Sequence, residues 1–150
     1  MYNIVYAEDT HIDDAVNTVV EFYTSIEWSK RLATCEDSIV ALCFSMIDSG
    51  ILLLAYDEDN QPVGIIGGVV GSSPSNSELE VASEVFFYVK DEHRGSGLGD
   101  TLRVTFEAIA KDMGCVGVTM ACVSTSSGDL GPYYVHNNYA LMESIYYKEL

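Results

Sequence analysis

Basic residues are scarce in this chain. Lys and Arg total 7 against 23 Asp and Glu, which gives a formal net charge of −16. A field of that sign repels nucleic acid and anionic membranes and favours cationic partners. It also serves plain solubility, and it means that any anionic ligand must be held by a local feature. The four cysteines (Cys35, Cys43, Cys115 and Cys122) make no CxxC pair and no dense framework. Reduced, buried thiols in a cytoplasmic protein are therefore expected. No apolar run reaches the roughly 18 residues that span a bilayer, and MYNIVYAEDT lacks the basic-then-apolar pattern of an export leader. Metal chemistry finds no foothold either. No histidine spacing suggests a metal site, and the run from Asp57 to Gly68 lacks the Gly and Glu that a calcium loop requires at its sixth and twelfth places.

What is present is a chain of 150 residues, 48% hydrophobic, without low-complexity tracts. That is the size and composition of one globular domain, here residues 1–150. NIVYAE (3–8) reads as a strand, and Thr10 with Asp13 resembles a capping box. Ile12, Ala15, Val16, Val19, Tyr23 and Ile26 then repeat at helical spacing. A second helix is predicted over 37–48, stopped by Gly50. ILLLAY and PVGIIGGVV are two apolar strands joined by a polar turn. GSSPSNS (71–77) reads as a loop and 78–89 as a long strand. Residues 97–113 carry a clear helical stripe ended by Gly114, and 116–123 form another strand. A short helix starts near Pro132, and 141–149 alternates as a strand does. The order is β-α-α-β-β-β-α-β-α-β, an α/β (α+β) arrangement with parallel strands around the 97–113 crossover.

One stretch asks for a ligand. HRGSGLG follows a strand and opens a helix, with Gly95, Gly97 and Gly99 crowded together. Free amides in such a turn, added to the positive end of a helix dipole, make an anion site. Arg94 can add a charge-assisted contact. The spacing excludes a Walker loop, which needs GK[ST]. It also excludes the dinucleotide fingerprint, since Asp100 stands where the third glycine belongs.

Read as Arg94-Gly95-Ser96-Gly97-Leu98-Gly99, the loop resembles motif A of the GCN5-related N-acetyltransferases (the GNAT family). FFYVKDEHRGSGLGDTL is similar to that family's strand, loop and helix throughout, and LGPYYVHNNYALMESIYYKEL to its C-terminal segment. The resemblance implies a GNAT-like fold, with a mixed sheet of about six to seven strands and about four helices. It also implies acetyl-CoA as co-substrate, with no metal. Three positions depart from the pattern. Asn138-Tyr139 replaces the usual Gly-Phe, with Asn still able to adopt a left-handed backbone. Ser127 replaces an Asn, and Asp91 replaces a Pro.

By that resemblance Arg94, Gly95, Ser96, Gly97, Leu98 and Gly99 hold the pyrophosphate of coenzyme A, with Ser127 a further contact. Phe87, Tyr88 and Val89 line the pantetheine arm through their backbone, as an added strand would. Tyr134 matches the general acid, with Tyr133 as the alternative register. A phenol of reference pKa about 10 can protonate a thiolate of about 8.5. Glu84 and Glu80 are the candidates for general base; the family's position falls nearer Ser83, so Glu84 requires a bulge or a one-residue shift. Cys122 as an acyl carrier is the weaker idea, because a cysteine in an apolar strand is usually core. The acceptor is then an amine, which the net charge would make cationic. Glu27, Asp37 and the 78–84 strand are candidates to attract it, and a homodimeric state is left open. The rival is a silent protein of the same fold whose acidic surface engages a basic partner.

Overall fold

The structure is a computed structural model that describes residues 1–123 and 128–150, apart from the side chains of Trp28 and Ser29. Among the described residues there are five strands and four α-helices. They are β1 (Asn3–Tyr6), α1 (Ile12–Ser25), α2 (Glu36–Ser49), β2 (Ile51–Tyr56), β3 (Pro62–Ser73), β4 (Asn76–Val89), α3 (Leu98–Asp112), β5 (Gly117–Thr119) and α4 (Gly131–His136). The sheet runs β1-β2-β3-β4-β5 in space. Its pairs are antiparallel except the last, where α3 carries the chain across so that β4 and β5 run parallel.

Helices cover both faces, which explains the unbroken apolar run ILLLAY. All six residues of β2 are buried. Leu52, Leu54 and Tyr56 meet Val19, Phe22, Cys43 and Met46 of α1 and α2. Ile51, Leu53 and Ala55 meet Leu98, Leu102, Phe106 and Ala110 of α3. A strand with alternate residues in two cores has no polar face to show. Gly68 on β3 is needed for the second core, because a Cβ there would stand 2.6 Å from the Phe106 ring.

The pairing of β3 with β4 slips beside Glu84. Gly67 pairs with Phe86 and Gly68 with Glu84, so Val85 is an extra residue on β4. A bulge of this kind re-aims the residues beside it. Ala82 belongs to the α3 core, while Phe86 and Tyr88 belong to the α1/α2 core. Unbroken alternation would have put all three on one face.

Several expectations are corrected. The sheet has five strands, not six to seven. Residues 141–149 pair with no strand, and Leu141, Met142, Ile145 and Tyr146 are exposed; an alternating pattern becomes a strand only beside a free edge that takes its backbone. GSSPSNS is mostly strand, because Ser73 pairs with Asn76 across a turn of two residues. β5 is shorter than 116–123. The first helix starts after a 3-10 turn (Asp9–His11), capped by Glu8 and His11 rather than by Thr10 and Asp13. Of the cysteines only Cys43 is buried; Cys35 and Cys122 are exposed.

Candidate functional site

β4 ends at Val89, a short turn (Asp91–His93) follows, and the glycine loop leads into α3. Gly95 has φ +73° and Gly97 φ +85°, the left-handed region that strains any residue with a Cβ. Gly97 is the cap residue of α3. Within the described residues the amides of Gly95, Ser96, Gly97 and Gly99 find no acceptor, and that of Leu98 only the Ser96 hydroxyl, 3.4 Å away. A Cβ at Gly95 or Gly97 would meet nothing within 4 Å. The loop thus presents bare main chain to open space, at the positive end of a fifteen-residue helix. Such a cradle suits a diphosphate.

The side chains around it behave differently. Arg94 donates from Nε to the Val89 carbonyl (2.9 Å), pairs with Asp91 (2.8 Å) and lies 5.8 Å from the centre of the Tyr88 ring. Its charge is answered by Asp91. Ser96 donates to the His93 carbonyl at 2.6 Å. Leu98 is buried, so only its amide faces the loop.

From the loop backwards, β4 has one open edge. Val81, Ala82 and Ser83 pair with β5, and the pairing stops there. Phe87, Tyr88 and Val89 pair with Ile66, Ile65 and Gly64 of β3, and among the described residues their far side has no ladder partner. Glu84 stands where the two parallel strands part. Its carboxylate accepts the Ala121 amide at 2.8 Å and so takes a bond that a continuing β4 would have offered. Burial pushes the Glu84 carboxyl up to about 7, the Ala121 bond opposing.

Tyr134, on α4, reaches the same point. It is 6% exposed and its hydroxyl donates to the Ala121 carbonyl at 3.2 Å. Burial first, then the Glu84 charge, hold its pKa above the usual phenol range. Tyr23 of α1 is raised by the same two causes, so it too stands near Glu84. The fold therefore brings Glu84 and Tyr134 together, although fifty residues separate them in sequence.

Tyr133 is occupied elsewhere. Its hydroxyl donates to Asp100 (2.7 Å) and accepts from Arg103 Nε (2.9 Å). Arg103 also donates to Glu107 and to Asn137 Oδ1 (2.9 Å), and Tyr139 donates to Glu107. This network joins α3 to α4, and reading the sequence missed it. The available signal was Asp100, Arg103 and Glu107 at helical spacing beside the stripe of Leu102 and Phe106.

The remaining candidates separate cleanly. Glu80 is exposed, toward the far end of β4. Cys122 lies outside the strand and donates to Asp129 (3.1 Å); burial and that bond raise its pKa, the wrong direction for a nucleophile. Asn138 adopts φ +67°, the left-handed turn expected of it. Ser127 lies outside the described residues.

A splayed mixed sheet, with a glycine loop opening the helix after the splayed strand, defines an acetyltransferase fold. The chain belongs to the Acetyltransferase (GNAT) family, whose sequence model matches residues 16–135. Enzymes of this family bind acetyl-CoA and an amine acceptor. The chain is similar to a putative acetyl transferase from Pyrococcus furiosus, at TM-score 0.77 and 19% identity with 100% of each chain covered. An aminoglycoside 6'-N-acetyltransferase from Acinetobacter baumannii gives 0.71 at 17%, covering 100% of this chain and 99% of that one. Ribosomal-protein-alanine N-acetyltransferase from Brucella melitensis gives 0.72 at 13%, again over 100% and 99%. Likeness at such identities speaks for the fold alone. No curated protein matches the sequence.

Proposed function

We propose that residues 1–150 form one N-acetyltransferase domain that moves an acetyl group from acetyl-CoA to a primary amine, in a ternary complex. The observation that carries this reading is the row of unpaired amides at Gly95, Ser96, Gly97 and Gly99 on open space. The left-handed glycines keep side chains away from those amides, as close approach of a ligand to the main chain requires. Those amides would hold the pyrophosphate, and the open edge at Phe87, Tyr88 and Val89 the pantetheine arm. Acetyl-CoA supplies the activated acyl thioester.

The chain's own residues supply the proton handling. Glu84, poised near neutrality, takes a proton from the attacking nitrogen, directly or through one water. Tyr134 stays protonated well above neutral pH and gives its proton to the departing sulfur. A cavity of about 220 Å³ lies between α1 and α2, with Tyr23 and Leu42 in its wall. Tyr23 also feels the Glu84 charge, which supports this cavity as the acceptor's place. The acceptor is cationic, in keeping with the net charge of −16 and with the exposed carboxylates Glu27 and Asp37.

One observation favours a second reading, a protein of this fold that binds without turnover. Arg94 is tied to Asp91 rather than free at the loop. Thermal-shift titration with acetyl-CoA and coenzyme A, followed by thiol release over a panel of amines, separates the two. Ligand at about 100 times its dissociation constant stabilises by roughly 2.7 kcal/mol. A shift with turnover supports the enzyme, and a shift without turnover the binder. No shift leaves the enzyme reading without its cofactor.

A further inference from the structure

The ring of Tyr134 stands between two other tyrosines, with the ring centres of Tyr133 and Tyr139 each 5.5 Å from its own. Both flanking hydroxyls are fastened to α3, Tyr133 to Asp100 and Arg103, and Tyr139 to Glu107. Arg103 is the hub. It donates to Tyr133, Glu107 and Asn137, and only 6% of it is exposed. Its guanidinium lies 5.7 Å from the centre of the Tyr133 ring. Asp100, Arg103 and Glu107 share one face of α3. The stripe begins on the first turn of the helix, directly after the bare amides of the glycine loop.

A buried arginine is a costly way to join two helices, because apolar side chains of similar volume do it as well or better. What the polar stripe adds is direction. Hydrogen bonds fix where the two flanking rings stand, and the rings in turn fix the one between them. Among the described residues the Tyr134 hydroxyl itself makes a single bond, to the Ala121 carbonyl at 3.2 Å.

We propose that the Asp100–Arg103–Glu107 stripe of α3, acting through the hydroxyls of Tyr133 and Tyr139, positions the Tyr134 phenol relative to the cofactor loop at the start of the same helix. Arg103, Tyr133 and Tyr139 are positioning residues for acyl transfer. The idea rests on the acid role of Tyr134 in the proposed function. One helix then sets both the place of the thioester and the place of the proton donor.

The test is a mutant cycle on the full chain that combines Tyr134→Phe with the pair Tyr133→Phe and Tyr139→Phe. Each change removes a hydroxyl and keeps its ring. The pair should lower kcat about 10- to 100-fold, while KM for acetyl-CoA and the coenzyme A thermal shift stay within about two-fold. In the Tyr134→Phe background the pair should cost nothing further, because there is no phenol left to aim. Merely structural damage would instead lower activity equally in both backgrounds, and that result overturns the proposal. Unchanged kcat in the pair overturns it too. Should Tyr134→Phe alone be fully active, the acid assignment fails, and this proposal with it, while coenzyme A binding stands. Should Tyr133→Phe alone abolish activity and Tyr134→Phe not, Tyr133 is the donor and the proposal is overturned. If the pair folds poorly, the cycle runs with Tyr139→Phe alone, which keeps the bonds of Arg103 to Tyr133, Glu107 and Asn137.

Discussion

Glu84 and Tyr134 both hold the main chain of Ala121, the carboxylate taking its amide at 2.8 Å and the phenol giving to its carbonyl at 3.2 Å. One residue just beyond β5 thus sets the spacing between the proposed proton acceptor and the proposed proton donor. Neither group titrates at its ordinary value. Burial is the main reason in both cases, and the Glu84 charge further suppresses ionisation of the phenol. Two groups driven apart in this way suit opposite roles in one reaction.

The acid role predicts a separation of kinetic constants. Tyr134→Phe should lower kcat by about 100-fold or more, with KM for acetyl-CoA nearly unchanged. Steady-state kinetics with saturating amine would measure both.

The base role predicts a pH profile. Activity should climb as pH rises through about 7, where Glu84 loses its proton. Glu84→Gln should lower turnover and erase that limb.

The same carboxyl predicts a stability change of definite sign. Its pKa is raised in the fold, from 4.5 to about 7. The unfolded chain therefore releases this proton first, and the fold loses stability as pH climbs from 4.5 through 7. The full cost, roughly 3 kcal/mol, applies above that window. Glu84→Gln should consequently be more stable relative to the parent at pH 8 than at pH 4.5, as urea midpoints would show.

The loop predicts a contrast between glycines. Gly97 has φ +85°, so Gly97→Val carries about 1–2 kcal/mol of backbone strain and covers the amides. Coenzyme A should then bind at least about tenfold more weakly by calorimetry. Gly99→Ala is the control for strain, because its Cβ would meet only the Phe87 ring, at 3.6 Å. Its melting temperature should hardly move.

Breaking the hub should be costly. Arg103→Met leaves Glu107, Asn137 and Tyr133 without their cationic partner, which should destabilise the fold by about 3 kcal/mol in urea titration.

Much of this was legible in the chain. The stripe of α3 and the glycine loop appear because their causes lie within a few residues, helical spacing in one case and left-handed φ in the other. The resemblance asked for a bulge or a one-residue shift if Glu84 is the base, and only the structure shows the bulge. The strand expected at 141–149 did not form. Alternation shows that a segment can be a strand, while the edge that would accept it lies elsewhere in the chain.

By itself the sequence determined the local devices, namely the helices, the glycine loop, the left-handed turn at Asn138 and the acidic excess. Only the tertiary structure decided that β4 and β5 part after Ser83, that Val85 bulges, that Arg103 bridges α3 and α4, and that Glu84 meets Tyr134. The physical reason is range. Main-chain dihedrals and helical stripes are set by neighbours along the chain, whereas strand edges and buried hydrogen bonds need partners that only folding brings near.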